Sequence, residues 1–142
     1  MDVLGLLQSK RRCMNSYLKT TEAFLALAER GDFSSLDSFE KKRETLLRTL
    51  AMYDRKIAEC ARAIPPQERT PALSVSVQKN IEEEAAVIRT ILSVDERVLG
   101  CMEREKLRLA QEIASAHKTK DLTGKFKSSW IPNAGAALDQ KL

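Results

Sequence analysis

A chain of 142 residues, 43% hydrophobic, 31% charged and only 5% aromatic, has the make-up of one domain of long helices, which argues against a sheet protein and against wholesale disorder. Its net charge of +4 is mild, and residues 115–142, with five basic and two acidic side chains, are the part richest in basic over acidic groups. That is a weak footprint for nucleic acid or a membrane surface. No apolar run approaches the length of a bilayer span, and the N-terminus lacks a continuous apolar core of the signal-peptide kind. Cys13, Cys60 and Cys101 are odd in number, far apart and without metal-ligand spacing, so reduced thiols in a cytoplasmic protein are expected, with no disulfide.

The first predicted helix covers residues 2–30. Val3, Leu7, Met14, Tyr17, Thr21, Phe24 and Ala28 form one stripe, widened by Leu4, Leu18 and Leu25. Gly31 supplies a left-handed stop, and Asp32 is placed to cap the next helix. So short a break makes helices one and two an antiparallel hairpin.

The second helix, 32–64, reads as the element around which the chain is organised. Leu36, Phe39, Arg43, Leu46, Leu50, Tyr53, Ile57, Cys60 and Ile64 alternate at spacings of three and four, a seam for another helix. Arg43 interrupts it and is expected to fix register or extend its head out of the core. Glu40, Lys41, Lys42 and Glu44 make a mixed, solvated face, with Glu44 paired to Arg48.

Pro65 and Pro66 end that helix. Thr70 and Pro71 give the cap and first position of a third, 71–117, whose early turns around Ser74–Val77 have poor propensity. Its candidate inner positions are Ile81, Val87, Ile88, Ile91, Val94, Val98, Met102, Leu109 and Ile113. At roughly 68 Å it is longer than its partners, and part of it is expected to lie beyond them. Gly100 reads as a place of close helix approach. Residues 118–142 form a tail broken by Gly124, Pro132 and Gly135, flexible or ordered by a partner, which carries the apolar Phe126, Trp130 and Ile131. The fold class is therefore all-α: an antiparallel bundle of three long helices, a hairpin plus a longer third helix, with a C-terminal tail.

Chemistry-bearing patterns are sparse. His117 has no acidic or cysteine partner at ligand spacing and reads as solvated or helix-capping. Glu82, Glu83 and Glu84 diverge around a helix and read as solvated surface. No phosphate-loop, nucleophile-elbow or zinc-protease motif occurs, so the reading is a non-enzyme with no catalytic residue, cofactor or metal.

The Gly31-Asp32 break, the pattern Leu36, Phe39, Glu40, Arg43, Leu46, Leu47, Leu50, and the closing Leu138-Asp139-Gln140-Lys141-Leu142 together resemble the small bacterial flagellar export chaperones, the FlgN-like and FliT-like all-α proteins. The resemblance implies a cytoplasmic chaperone without ATPase activity. It would hold the amphipathic terminal helices of a hook-associated or filament-cap protein, prevent early assembly, and deliver the client to the export apparatus. The client surface expected here is Val98, Cys101, Met102, Leu109, Ile113, Phe126, Trp130 and Ile131, an open groove edge in which Met102 is the adaptable contact. The tail is expected to cover Met102, Leu109 or Ile113 until a client displaces it. A structural protein that homodimerises as a coiled coil without a client is the alternative.

Overall fold

The computed structural model describes residues 2–130, with side chains as far as Gly124. It contains α1 (Val3–Glu29), α2 (Leu36–Arg62) and α3 (Pro71–Trp130), with one 3-10 turn at Pro66–Glu68. The chain is all-α, and no strand occurs among the described residues.

The helix ends follow from local chemistry. Asp2 caps α1 by accepting from the Gly5 amide at 2.7 Å, which satisfies a donor that has no partner within the helix. At the other end Gly31 takes φ 79°. The amides of Gly31 and Asp32 then donate to Ala28 O and Leu27 O at 2.9 and 3.0 Å, the paired bonds of a Schellman stop. Asp32 does not cap α2 as the sequence suggests. Its carboxylate accepts from the Ser34 amide at 3.0 Å and the Ser34 hydroxyl at 2.6 Å, and these bonds hold it below the usual carboxylate range. This local turn draws the side chain away, and α2 begins only at Leu36. Thr70 does cap α3, accepting from the Leu73 amide at 3.2 Å with Pro71 in the first position.

α1, rather than α2, is the central element. Val3, Leu6, Leu7, Met14, Tyr17, Thr21, Phe24, Leu25 and Ala28 are all buried, whereas α2 buries Phe39 alone. α1 is covered on two sides, antiparallel by α2 and parallel by α3, and needs a broad apolar face. The α2 seam is in place, but one neighbour covers it only partly: Leu46, Leu50, Tyr53, Ile57 and Cys60 remain half-buried. The best-packed part of the core joins all three helices through Phe24, Leu25, Ala28, Phe39, Val94, Val98 and Cys101. There Phe24 stacks on Phe39 with ring centroids 4.3 Å apart and meets Phe33 edge-on at 6.3 Å.

The chain divides into two compact units, the first ending at Met102 and the second beginning at Glu103. The division falls where burial along α3 stops: Cys101 is its last buried residue, and the α1 that covers this part of the helix ends at Glu29. In the second unit α3 does not end near His117 but continues to Trp130, passing through Gly124 without a break. One interior glycine costs about 1 kcal/mol relative to alanine, and the lysines and Leu122 around it are good helix formers. Within this unit Arg108 pairs with Glu105 at 2.6 Å and Glu112 at 2.5 Å, and every side chain from Lys106 to Thr123 is exposed. The residues of the closing Leu138–Leu142 pattern, with Pro132 and Gly135, lie outside the described residues.

Candidate functional site

The helices of the first unit are tied by two polar clasps. In one, Tyr17 of α1 accepts from Arg43 Nε of α2 at 2.8 Å and donates to Asp95 of α3, whose nearer oxygen is 3.2 Å away. Burial pushes the Tyr17 phenol up, and the nearby Asp95 carboxylate adds to this while Arg43 opposes it. The bond to Tyr17 holds Arg43 above its ordinary value. The seam arginine thus bonds across to α1 while its charged head stays at the surface.

In the other clasp Lys10 of α1 meets Asp54 of α2 at 2.7 Å and Glu84 of α3 at 2.5 Å. Burial alone would depress the Lys10 ammonium, but the two carboxylates outweigh it and its pKa is raised. Arg11 adds contacts to Glu83 and Asn80. Glu84, with its side chain 15% exposed, is therefore not the solvated surface that the sequence suggests, whereas Glu83 is exposed as expected; both link α3 to α1. The spacing of the triplet shows only how it spreads around its own helix, and the partners come from α1.

Between and beside these clasps the helices leave apolar side chains in water. Along α3 Ile81, Ile88, Leu92 and Leu99 are 47%, 39%, 62% and 60% exposed, and Leu47 of α2 is also exposed. Ile81 and Ile88 follow the pattern of inner positions in the sequence but stand exposed. Leu92 and Leu99 lie on the same face, and their signal in the sequence is the 7,4,7 spacing of residues 81, 88, 92 and 99.

The expected client residues separate into groups. Val98 and Cys101 are 5% and 4% exposed, inside the core against α1 and Phe39, so they line no open groove. Burial between helices explains their apolar character. Met102 is half-buried against the same core. Leu109 and Ile113, one turn apart, are 45% and 59% exposed and share a face of α3 in the second unit, where Leu107 and Leu122 are exposed as well. Phe126 and Trp130 fall within the span of α3, but their side chains, like the whole of Ile131, lie outside the description.

Among the described residues no group of His, Cys, Asp or Glu is arranged to hold a metal ion, and no helix is long and apolar enough to cross a membrane. Cys13, Cys60 and Cys101 are present as thiols. Cys13 donates weakly to Leu46 O at 3.8 Å, and burial pushes its pKa up. The arrangement offers apolar helix surface and interhelical ion pairs, the means of binding another helix.

No curated protein and no solved structure matches the chain. The family described as Flagellar protein FliT matches residues 11–128, a span that includes most of α1, all of α2 and nearly all of α3. The chain belongs to the FliT family, a family of flagellar export chaperones.

Proposed function

We propose that this protein is a cytoplasmic export chaperone that binds the amphipathic helices of a hook-associated or filament-cap protein, keeps them from assembling early and delivers them to the export apparatus. It does so by binding alone, without catalysis. The family match over residues 11–128 carries this reading. The exposed pair Leu109 and Ile113, on a stretch of α3 with no buried side chain of its own, supports it. A helix bearing uncovered apolar side chains gains when an amphipathic partner covers them.

The client surface then consists of Leu109 and Ile113, together with Phe126, Trp130 and Ile131 of the sequence-based expectation. Val98 and Cys101 act from within the core, and Met102 belongs to its edge. The test is an assembly assay. A hook-associated or filament-cap protein encoded in the same genome is followed as it self-associates, with and without an equimolar amount of this chain. Suppression by the wild type, lost in Leu109→Asp/Ile113→Asp, supports the proposal. Unimpeded assembly in the presence of the wild-type chain contradicts it.

A further inference from the structure

Where α1 covers the α2 seam only in part, the contact between the two helices opens into two clefts of about 390 and 400 Å³. They share Thr20 and Lys42 and so form one groove, running from Ser16 to Leu27 on α1 and from Ser35 to Leu46 on α2. At 1.5 Å per residue that is roughly 16 Å, about three turns of helix. The floor is apolar: buried Phe24 and Phe39 form its bottom, and half-buried Leu27 and Leu46 offer their uncovered sides. On α1 the wall is low, because Ser16, Thr20 and Ala23 are small enough to let another backbone come close.

The rim carries one sign of charge. Lys19, Lys41 and Lys42 stand around it, all exposed. Among the described residues no carboxylate lines either cleft, and none of the three lysines forms an ion pair. The neighbouring acids lie on other faces. Asp37, Glu40 and Glu44 are about 140° or more around α2 from Lys42, and Glu22 is about 160° around α1 from Thr20. Glu44 is moreover held by Arg48 at 2.5 Å.

We infer that this groove is the docking site for an acidic amphipathic helix of another protein, with its apolar face on Leu27 and Leu46 and its carboxylates on Lys19, Lys41 and Lys42. The chemistry of the groove selects the occupant. An apolar floor calls for an apolar face, and three cations without a counter-charge call for carboxylates. A trough between two helices fits another helix, which adds a fourth to the three already present. An anionic membrane is the poorer match, because the apolar side chains lie at the bottom of a recess that a planar surface does not reach. The groove shares no residue with the proposed client surface, so the inference stands apart from that reading. Three turns of helix bury less than the roughly 1,200 Å² at the low end of specific interfaces. The expected dissociation constant at low salt is on the order of 10–100 µM, and binding weakens as salt screens the lysines.

The test is a nuclear magnetic resonance titration of the full chain with a capped amphipathic peptide of about four turns, leucines spaced by three and four along one face and glutamates flanking them. Amide shifts should gather in residues 16–27 and 35–46, and affinity should fall at least about threefold between roughly 50 and 300 mM salt. Lys41→Glu/Lys42→Glu should lose affinity at least about tenfold, with a melting temperature close to wild type because both side chains are exposed. That variant should instead bind the counterpart peptide with lysines in place of glutamates, which the wild type should not. If it melts early, Lys19→Glu repeats the experiment from α1. Leu109→Asp/Ile113→Asp should bind the acidic peptide as wild type does. No binding of the acidic peptide, equal binding of the lysine peptide, shifts confined to other residues, or full affinity in Lys41→Glu/Lys42→Glu would each overturn the inference. So would capture of the chain by phosphatidylglycerol vesicles that the acidic peptide does not relieve.

Discussion

The hydroxyl of Tyr17 donates to the Asp95 carboxylate across the α1–α3 contact at 3.2 Å, and the same oxygen accepts from Arg43 of α2 at 2.8 Å. One phenolic oxygen therefore joins all three helices at the level where α1 is most deeply covered. Tyr17→Phe keeps the ring and its packing but leaves both partners without this bond. Arg43 can recover water at the surface, whereas half-buried Asp95 recovers less, so the expected loss is about 1–2 kcal/mol. For a chain of this length that corresponds to a fall in melting temperature of roughly 3–8 °C, measurable by circular dichroism.

Lys10 divides unequally between its two carboxylates. The Asp54 side chain is 60% exposed and that of Glu84 only 15%. Most of the stabilisation therefore lies in the Glu84 arm, since exposed pairs contribute little. Lys10→Met is expected to cost on the order of 2 kcal/mol by leaving Glu84 with an unpaired charge, while Asp54→Asn costs about 0.5 kcal/mol or less. Adding Glu84→Gln to Lys10→Met should recover part of the loss. Urea denaturation of the four proteins checks this order.

The pH dependence has a definite sign. Cys13, Tyr17 and Lys10 all have pKa values above their ordinary 9.0, 10.0 and 10.5. Burial is the cause for the first two, and the carboxylates of Asp54 and Glu84 prevail over burial for the third. Each group holds its proton more tightly when folded. Its contribution is complete below the ordinary value and is lost as pH rises through the raised one. Stability should be level near neutrality and fall on the alkaline side, from about pH 9 upward. Tyr17→Phe should flatten part of that fall. A urea midpoint measured across the alkaline range tests the sign directly.

Gly31→Ala isolates a backbone effect. Its φ is +79°, yet a Cβ there meets nothing within 4 Å, so no packing change accompanies the strain. The expected cost is about 1–2 kcal/mol, from left-handed geometry alone. The melting temperature should fall while the α1–α2 hairpin persists in the circular dichroism spectrum.

The sequence made α1 and its stop plainly legible. All seven residues of its predicted main stripe, from Val3 to Ala28, are buried, because α1 is covered on two sides and periodicity then reports burial directly. Periodicity misled on α2 and α3. Their apolar positions recur just as regularly, but each packs mainly against α1, so Ile81 and Ile88 follow the pattern and remain exposed while Cys101 is buried. A stripe shows that a helix has an apolar face without showing how much of it is covered. The clasps around Lys10 and Tyr17 were illegible for a different reason: Glu84 and Asp95 lie more than seventy residues away in the chain, and only the register of the folded helices brings them together. Gly124 shows the converse, a breaker by type that α3 passes through.

The most direct test of the account is calorimetric titration of the full chain with the terminal amphipathic helix of a hook-associated or filament-cap protein encoded in the same genome. Wild type, Leu109→Asp/Ile113→Asp and Leu92→Lys are compared. The account predicts that wild type and Leu92→Lys bind with similar affinity and one client per chain. It predicts at least a tenfold loss in Leu109→Asp/Ile113→Asp with no change in melting temperature. Absence of binding by the wild-type chain, or full affinity in the Leu109→Asp/Ile113→Asp protein, would contradict it.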